Sequence, residues 1–114
     1  MKSDRPFLLH ILDAIEHIEE YTAEGEQVLH RDRRTLDAGL RNMEVIGEAV
    51  KRLSDARKSR HPNVPWSQIA GMRDVLIHPY FRVSLSLVWV AIHEQLPLLK
   101  RVTVSELADL PERP

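Results

Sequence analysis

Apolar residues recur at three- and four-residue spacing from Arg33 to Leu53, and this period is typical of an α-helix. On a wheel of about 100° per residue, the charged side chains share one arc and the apolar side chains fill the opposite one. Gly39 and Gly47 lie in the apolar arc, although a glycine destabilises a helix interior by roughly 1 kcal/mol relative to alanine. We therefore expect another backbone, from this chain or from a second subunit, to approach closely at these glycines. The apolar arc comprises Leu36, Gly39, Leu40, Met43, Ile46, Gly47 and Val50.

Two other segments show the helical period and carry boundary signals. One runs roughly from Pro6 to Tyr21, and a proline suits the first turn of a helix. The other begins near Trp66 and is predicted to run to about His78, because Pro79 disfavours helical angles in the residue before it.

A fourth main helix is expected after Ser84, whose hydroxyl group can cap it. Its apolar stripe extends to Leu99, and Pro97 should kink the helix or mark its break. The run LSLVWVAI in this segment could also form a short strand, but the chain offers it no partner strand.

The remaining segments are predicted to be short or irregular. Thr22 to Arg31 contains Gly25 and is mostly polar, so it is predicted to be a loop. Asp32 can cap the helix that follows, and residues 54–61 favour a short basic helix. From about residue 103 to residue 114 we expect a polar C-terminal tail with a frayed end.

The totals favour one globular domain over residues 1–114, because this length fits a single ordinary core. Hydrophobic residues make up 43% of the chain and charged residues 29%, which excludes the disordered class. The sequence has no cysteine, which excludes disulfides and thiol catalysis.

Charges interrupt the first apolar run, so we expect no signal peptide, no membrane association and a cytoplasmic location. The histidines lack the spacing of metal ligands, and we expect neither a metal ion nor a cofactor.

The formal net charge of −1 conceals an asymmetry along the chain. Residues 31–82 contain eleven of the sixteen Lys and Arg residues but six of the seventeen acidic residues. This basic middle could face a polyanion, or it could be a solvated surface balanced by acidic flanking helices.

The segment WSQIAGMRDVLIHPYF contains the strongest candidates for chemistry. Arg73 falls within an apolar arc of the predicted helix, where an unpaired charge would be unfavourable. Its stem could pack against Trp66 with the guanidinium in solvent, or the charge could serve a site. His78 stands about 140° away on an ideal helix, so a shared site would need the helix end or a second subunit. Pro79 ends the predicted helix and leaves His78 and Tyr80 free to turn towards Arg73.

The spacing of Arg73, His78 and Tyr80 resembles the signature of the HepT-like toxins of the HEPN superfamily. The resemblance continues upstream in RNMEVIGEAVKRLS and covers nearly the whole chain. It implies an all-α, up-down bundle of four to five helices that forms a homodimer. The apolar surface of the second helix is wider than coverage on one side requires, which fits such a dimer.

The resemblance also implies an activity, that of a metal-independent endoribonuclease acting as the toxin of a type VII toxin–antitoxin system. Histidine titrates near neutral pH, so His78 suits proton transfer, and the Arg73 guanidinium suits stabilisation of phosphate charge. Tyr80 is expected to accept AMP from a minimal nucleotidyltransferase antitoxin, which would be the partner besides RNA. The alternative is a non-catalytic helical dimer that binds the nucleotidyltransferase.

Charged residues outside this signature are candidates for supporting roles. Four polar residues of the second helix recur in the family's motif, and we expect a carboxylate among them to orient Arg73 or His78. They could equally form a solvated stripe of helix-surface neighbours. These supporting residues are Arg41, Asn42, Glu44 and Glu48. The candidate contacts to RNA phosphates are Arg57, Lys58 and Arg60.

Overall fold

The computed structural model describes residues 3–72, 77–78 and 82–110, and for residues 77–78 and 82–83 it describes the backbone alone. In these ranges the chain is helical apart from a short antiparallel ladder, β1 (Ile77–His78) with β2 (Arg82–Val83). The prediction of an all-α chain is therefore confirmed for the described residues, with this ladder as its one departure. Within the same ranges, no helix combines the length and the apolar character needed to cross a membrane.

Two long helices pack against each other along their lengths, α1 (Arg5–Tyr21) and α3 (Arg33–Arg52). Pro6 lies in the first turn of α1, as predicted. The whole apolar arc predicted for α3 is buried. Met43 of α3 has no exposed surface, and neither does Ile15 of α1. The helical period therefore predicted these two helices and the faces that they bury.

The predicted loop between these helices is wrong in its second half, where α2 (Gln27–Arg31) forms. Val28 and Leu29 are buried in this short helix, and burial of these two apolar side chains stabilises the helical turn within a polar segment. Asp32 is confirmed as the cap of α3, since its Oδ1 accepts hydrogen bonds from the backbone N–H groups of Arg34 (3.0 Å) and Thr35 (3.4 Å).

Two short helices follow α3. The predicted basic helix is confirmed as α4 (Asp55–Ser59). The predicted helix begins at Trp66 as expected, but its end near His78 is wrong, because α5 (Trp66–Ala70) spans five residues and Ile77–His78 is extended. The residue before a proline prefers extended angles, so His78 fits a strand better than the last turn of a helix.

The C-terminal half of the fold consists of α6 (Leu85–Val90), a π-helical turn (Ala91–Gln95) and α7 (Leu96–Asp109). Ser84 is confirmed as the cap of α6, with its Oγ 3.4 Å from the N–H group of Leu87. The helical backbone of α6 excludes a strand over LSLVWV.

The π turn coincides with the predicted disturbance at Pro97. In it the Leu96 N–H group donates to the carbonyl group of Ala91, five residues back. Pro97 has no N–H group to bond with the carbonyl group of His93, and the π turn lies where that α-helical hydrogen bond is missing. The prediction that Pro97 disturbs the helix is confirmed.

The prediction of a polar tail from about residue 103 is wrong, because α7 continues to Asp109. Thr103 and Glu106 are each only 1% exposed. The hydroxyl group of Thr103 donates to the carbonyl group of Leu99 at 2.7 Å, and Glu106 lies among cationic side chains. Polar composition here reflects buried polar contacts rather than a frayed end.

Candidate active site

The predicted catalytic residues lie in the chain between α5 and α6. Arg73 and Tyr80 fall outside the described residues, and of His78 only the backbone is described. In the ladder, His78 pairs with Arg82 and Ile77 pairs with Val83. The arrangement of the three side chains in one site therefore stays a prediction.

The start of this segment is fixed by a close contact between α3 and α5. A β-carbon placed on Gly47 would lie 2.8 Å from the carbonyl oxygen of Ala70. The predicted close approach of a backbone is thus confirmed at Gly47, and the neighbour belongs to the same chain. At Gly39 no such neighbour exists within 4 Å in the described part of the chain. The chain therefore leaves α5 directly beside the middle of α3.

Trp66 fixes the other end of α5. Its indole N–H group donates to the carbonyl groups of Lys58 (3.0 Å) and His61 (3.1 Å). Ile69, one turn further along α5, has no exposed surface. The five-residue helix is thus held by a buried side chain, by the indole and by the contact at Gly47. It thereby fixes the position of the chain that leads to Arg73.

Three of the four predicted supporting residues, Arg41, Glu44 and Glu48, line one cleft between α1 and α3. The cleft has a volume of about 330 Å³. Arg41 Nη1 lies 3.1 Å from Glu44 Oε1, and Lys51 Nζ lies 3.7 Å from Glu48 Oε1. Asn42 is turned to its own helix, with its Nδ2 group donating to the carbonyl group of Ala38 at 2.9 Å. The lining residues are Phe7, His10, Arg41, Glu44, Val45, Glu48, Ala49 and Arg52.

Glu44 and Glu48 flank Gly47 in the sequence of α3, but these two residues line the cleft with α1 whereas Gly47 contacts α5. Carboxylates at these positions lie one helical turn apart on the surface of α3. The structure therefore brings Arg41, Glu44 and Glu48 together at the cleft between α1 and α3, whereas the Asn42 amide is bonded within its own helix.

The three candidate RNA contacts of α4 and the residues after it lie in very different surroundings. The Arg57 side chain is 15% exposed and bonds two carboxylates, with Nε 2.7 Å from Asp4 Oδ2 and Nη1 against Glu106 Oε1. Lys58 Nζ donates to the carbonyl group of Val50 at 3.3 Å. Arg60 is the most exposed of the three at 56%.

Glu106 is the centre of this ion-pair network. Its Oε2 lies 2.7 Å from Nε2 of His61, and its Oε1 lies 3.5 Å from Nη1 of Arg60. Burial alone would raise the pKa of Glu106, but hydrogen bonds from His61 and Arg57 and the nearby guanidinium charges lower it below its ordinary value. The carboxylate therefore stays ionised and ties α7 to α4.

Asp4 completes the network at the start of α1. Its carboxylate accepts hydrogen bonds from the Ser54 N–H group (3.1 Å), the Ser54 hydroxyl group (2.7 Å) and Arg57. Burial opposes ionisation here as well, yet these bonds lower the pKa of Asp4. The network thus joins residues far apart in sequence.

The sequence contained a signal for Glu106 that composition obscured. Leu96, Leu99, Thr103 and Glu106 recur at helical spacing, and all four are buried. A carboxylate that continues an apolar stripe is a candidate for a buried ion pair.

The chain is similar to several known proteins over most of its length. The family model described as "Ribonuclease HepT-like" matches residues 11–105. The chain is 43% identical over 101 residues to a protein named probable ribonuclease HepT from Thermococcus cleftensis, which covers 87% of this chain and 91% of that protein. It is 41% identical over 102 residues to a protein named as a candidate RNase from Caldanaerobacter subterraneus, covering 89% and 91% of the two chains.

A third relative combines two activities in its name. The chain is 37% identical over 110 residues to a Methanocaldococcus jannaschii protein named gamma-glutamylcyclotransferase and candidate RNase. The match covers 96% of this chain and 50% of that protein. No solved structure matches the chain.

Proposed function

Because this chain belongs to the HepT-like ribonuclease family, and is thereby an endoribonuclease, we propose that it cleaves RNA without a metal ion, through Arg73 and His78. The observation that carries the proposal is the extent of the family match, since residues 11–105 include both positions. The close packing of α3 on α5 supports it, because this contact fixes the chain directly before Arg73.

The proposed reaction is transesterification by the RNA itself. The 2′-hydroxyl oxygen forms a bond to the adjacent phosphorus while the bond from phosphorus to the 5′-oxygen breaks. The hydroxyl proton leaves to a base, and an acid gives a proton to the departing 5′-oxygen. The products are a 2′,3′-cyclic phosphate and a 5′-hydroxyl end. His78 is the group suited to move these protons near neutral pH, and in a dimer two copies could act as base and acid.

Arg73 has the complementary role in this reaction. The pentacoordinate phosphate gains negative charge, and a guanidinium group stabilises that charge through paired N–H donors without losing its own proton. Glu44 or Glu48 would orient the guanidinium or the imidazole. Their position on α3, the helix that packs against α5 through Gly47, supports this role.

The proposed biological role is that of the toxin in a type VII toxin–antitoxin pair. Tyr80 would accept AMP from a minimal nucleotidyltransferase antitoxin, forming a bond from the phenol oxygen to the α-phosphorus of ATP and releasing pyrophosphate. The added phosphate carries negative charge beside the position of the RNA phosphate, so it would repel the substrate.

The proposed active form is a homodimer of up-down helical bundles whose two Arg73/His78 pairs face one cleft. The wide apolar surface of α3 does not support a dimer, since that face is buried within the chain. Its remaining support is the resemblance to the family, whose model matches residues 11–105.

Arg60 and Lys58 would contact the RNA backbone, and Lys58 is the less exposed of the two. Arg60 has the exposure that a phosphate contact needs. Arg57 is bonded to two carboxylates, so its contribution to RNA binding would be indirect, through the position of α4.

The decisive experiment is cleavage of total RNA by the purified wild type, by Arg73→Ala and by His78→Ala, with and without EDTA. We expect both variants to lose cleavage while keeping the helical content and particle mass of the wild type. Cleavage by wild type should persist in EDTA. Full activity of His78→Ala, or strict dependence on a divalent ion, would contradict the proposal.

The modification is tested by intact mass after incubation with the nucleotidyltransferase, ATP and magnesium. We expect AMP increments on the wild type and on Tyr21→Phe, and none on Tyr80→Phe. Tyr21 is a matched control because it is the other tyrosine of the chain and lies at the end of α1. Equal labelling of Tyr80→Phe and the wild type would refute the assignment.

A further inference from the structure

A cleft of about 330 Å³ opens between α5 and the helical segment formed by α6 and the π turn. Its volume falls at the lower end of the range of roughly 300–1,000 Å³ that is typical of small-molecule pockets. The cleft is thus large enough for a ligand the size of a nucleobase. Its lining residues are Ser67, Gln68, Gly71, Met72, Leu87, Val90, Ala91 and Gln95.

Its polar groups are neutral and available. In the part of the chain that the structure describes, the side chains of Ser67, Gln68 and Gln95 make no hydrogen bond to the protein. Together they offer two carboxamides and one hydroxyl group. Among the lining residues that the structure describes, none carries a charged side chain, so this part of the cleft is suited to an uncharged polar edge rather than to a phosphate or a carboxylate.

Its walls are apolar and partly open to solvent. Leu87 and Val90 are each 42% exposed, and Met72 is 4% exposed. Apolar side chains of this kind can pack on the face of a planar ring, while the carboxamides bond to its edge.

The π turn forms one end of the cleft. Ala91 begins this turn and Gln95 ends it, and both line the cleft. A π turn inserts an extra residue into the helical spacing, so it changes the direction of the side chains that follow, and such turns occur frequently at functional sites.

The cleft adjoins the catalytic segment in the chain. Met72, one of its lining residues, directly precedes Arg73. The two helices that border the cleft, α5 and α6, are those that lead into and out of the segment with Arg73 and His78.

We propose that this cleft is a nucleobase subsite, which binds the base of a nucleotide next to the scissile phosphate and sets the sequence preference of cleavage. The inference rests on the proposed RNA cleavage. Single-stranded RNA is recognised through unstacked bases, whose faces pack on side chains and whose edges form hydrogen bonds. A glutamine carboxamide offers a donor and an acceptor side by side, and it pairs well with adenine.

The first test detects the ligand directly, without any cleavage. Each of the four nucleosides is titrated, at millimolar concentration, into protein labelled with nitrogen-15. We expect the side-chain amide resonances of Gln68 and Gln95 to shift, most strongly with adenosine. Gln27 of α2 lies outside the cleft, and its amide resonance should stay in place. Absence of any shift at Gln68 and Gln95 with all four nucleosides would overturn the subsite, whatever the ribonuclease assay shows.

The second test maps the cleavage positions in total RNA for the wild type, Gln68→Leu, Gln95→Leu and Gln27→Leu. Loss of one paired contact to a base should reduce discrimination among bases by about tenfold, since such a contact contributes roughly 1–3 kcal/mol. Gln27→Leu should keep the wild-type profile. An unchanged profile in both cleft variants would overturn the subsite, whereas lack of cleavage by the wild type would overturn the proposed function.

A third measurement excludes a protein occupant. Leu87→Glu places a charge in the apolar wall, and its particle mass is compared with the wild type by light scattering. We expect an unchanged mass together with loss of the adenosine shifts. A halved mass would show that this face is an interface between copies of the chain, and it would overturn the nucleobase assignment.

Discussion

Gly47 of α3 lies so close to the carbonyl oxygen of Ala70 of α5 that a β-carbon at position 47 would stand 2.8 Å from that oxygen. A backbone oxygen cannot rotate away as the end of a side chain can, so α5 itself would have to move. The distance between α3 and Ala70, the last residue of α5, is therefore set by the absence of a side chain at Gly47.

Gly47→Ala should destabilise the fold by about 1–3 kcal/mol, because overpacking at a rigid contact outweighs the gain in helix propensity. It should also lower cleavage activity, since α5 leads directly to Arg73. Urea denaturation and the RNA assay measure the two effects. Gly39→Ala is the matched control, because no atom of the described chain lies within 4 Å of the added carbon. It should stabilise α3 by up to about 1 kcal/mol, and equal behaviour of the two variants would contradict this account.

Glu106→Gln should lower the free energy of unfolding by about 3 kcal/mol, because it removes the buried carboxylate that pairs with the partly buried Arg57 and His61. The glutamine is nearly isosteric, so the effect reports charge rather than packing. Glu20→Gln, on the exposed face of α1, is the control and should change the free energy by less than about 0.5 kcal/mol. Urea denaturation at neutral pH distinguishes them, and a loss below about 1 kcal/mol for Glu106→Gln would contradict the role of the network.

The contribution of Asp4 should disappear in acid. Its pKa in the folded protein lies below the ordinary value of 3.8, so the folded state binds its proton less readily than the unfolded state. The stabilisation is complete above about pH 4 and is lost as the pH falls through the folded pKa. The difference in unfolding free energy between the wild type and Asp4→Asn should therefore stay constant from neutral pH to about pH 5 and shrink below pH 4. A difference that grows on acidification would reverse the sign of the shift.

Arg60→Ala should weaken RNA binding by the inactive His78→Ala protein and reduce the slope of affinity against salt by about one. Arg57→Ala should instead destabilise the fold, because it removes the partner of Asp4 and Glu106. Binding titrations at several salt concentrations, with unfolding measured in parallel, separate the two. An unchanged salt slope in Arg60→Ala would remove this residue from the proposed RNA contacts.

The sequence predicted α1 and α3 closely because a helix buried on one side imposes its period on the positions of apolar residues. Asp32, Ser84 and Pro97 marked boundaries correctly because each acts through its own backbone or nearest turn. The extent of α5 was wrong because the ladder at Ile77–His78 depends on pairing with Arg82–Val83, and strand pairing is set by tertiary contacts more than by local propensity.

The proposed catalytic motif could be recognised from its spacing, but the ion-pair network around Glu106 could not be predicted from the sequence. Nothing in the local sequence indicated the contacts of Asp4 and His61, since their partners lie 45 to 53 positions away. Glu106 continues an apolar stripe, but the stripe does not identify its partners. Arg57 likewise resembled a free basic residue until its two carboxylates were located. The partner in a long-range ion pair leaves no local signal, so only the folded arrangement identifies it.

The bonds of Arg57 to both Asp4 and Glu106 bring the beginning of α1 and the last turns of α7 to one place. A short engineered linker between these ends could therefore close the backbone into a ring. Such a circular permutant could be opened at the turn around Gly25, where the backbone is left-handed with φ at 104°. The segments that contain Asp4 and Glu106 would then be neighbours in the sequence. In such a chain the two carboxylates that pair with Arg57 would lie on neighbouring segments. Forming both ion pairs would therefore cost less conformational entropy of the chain.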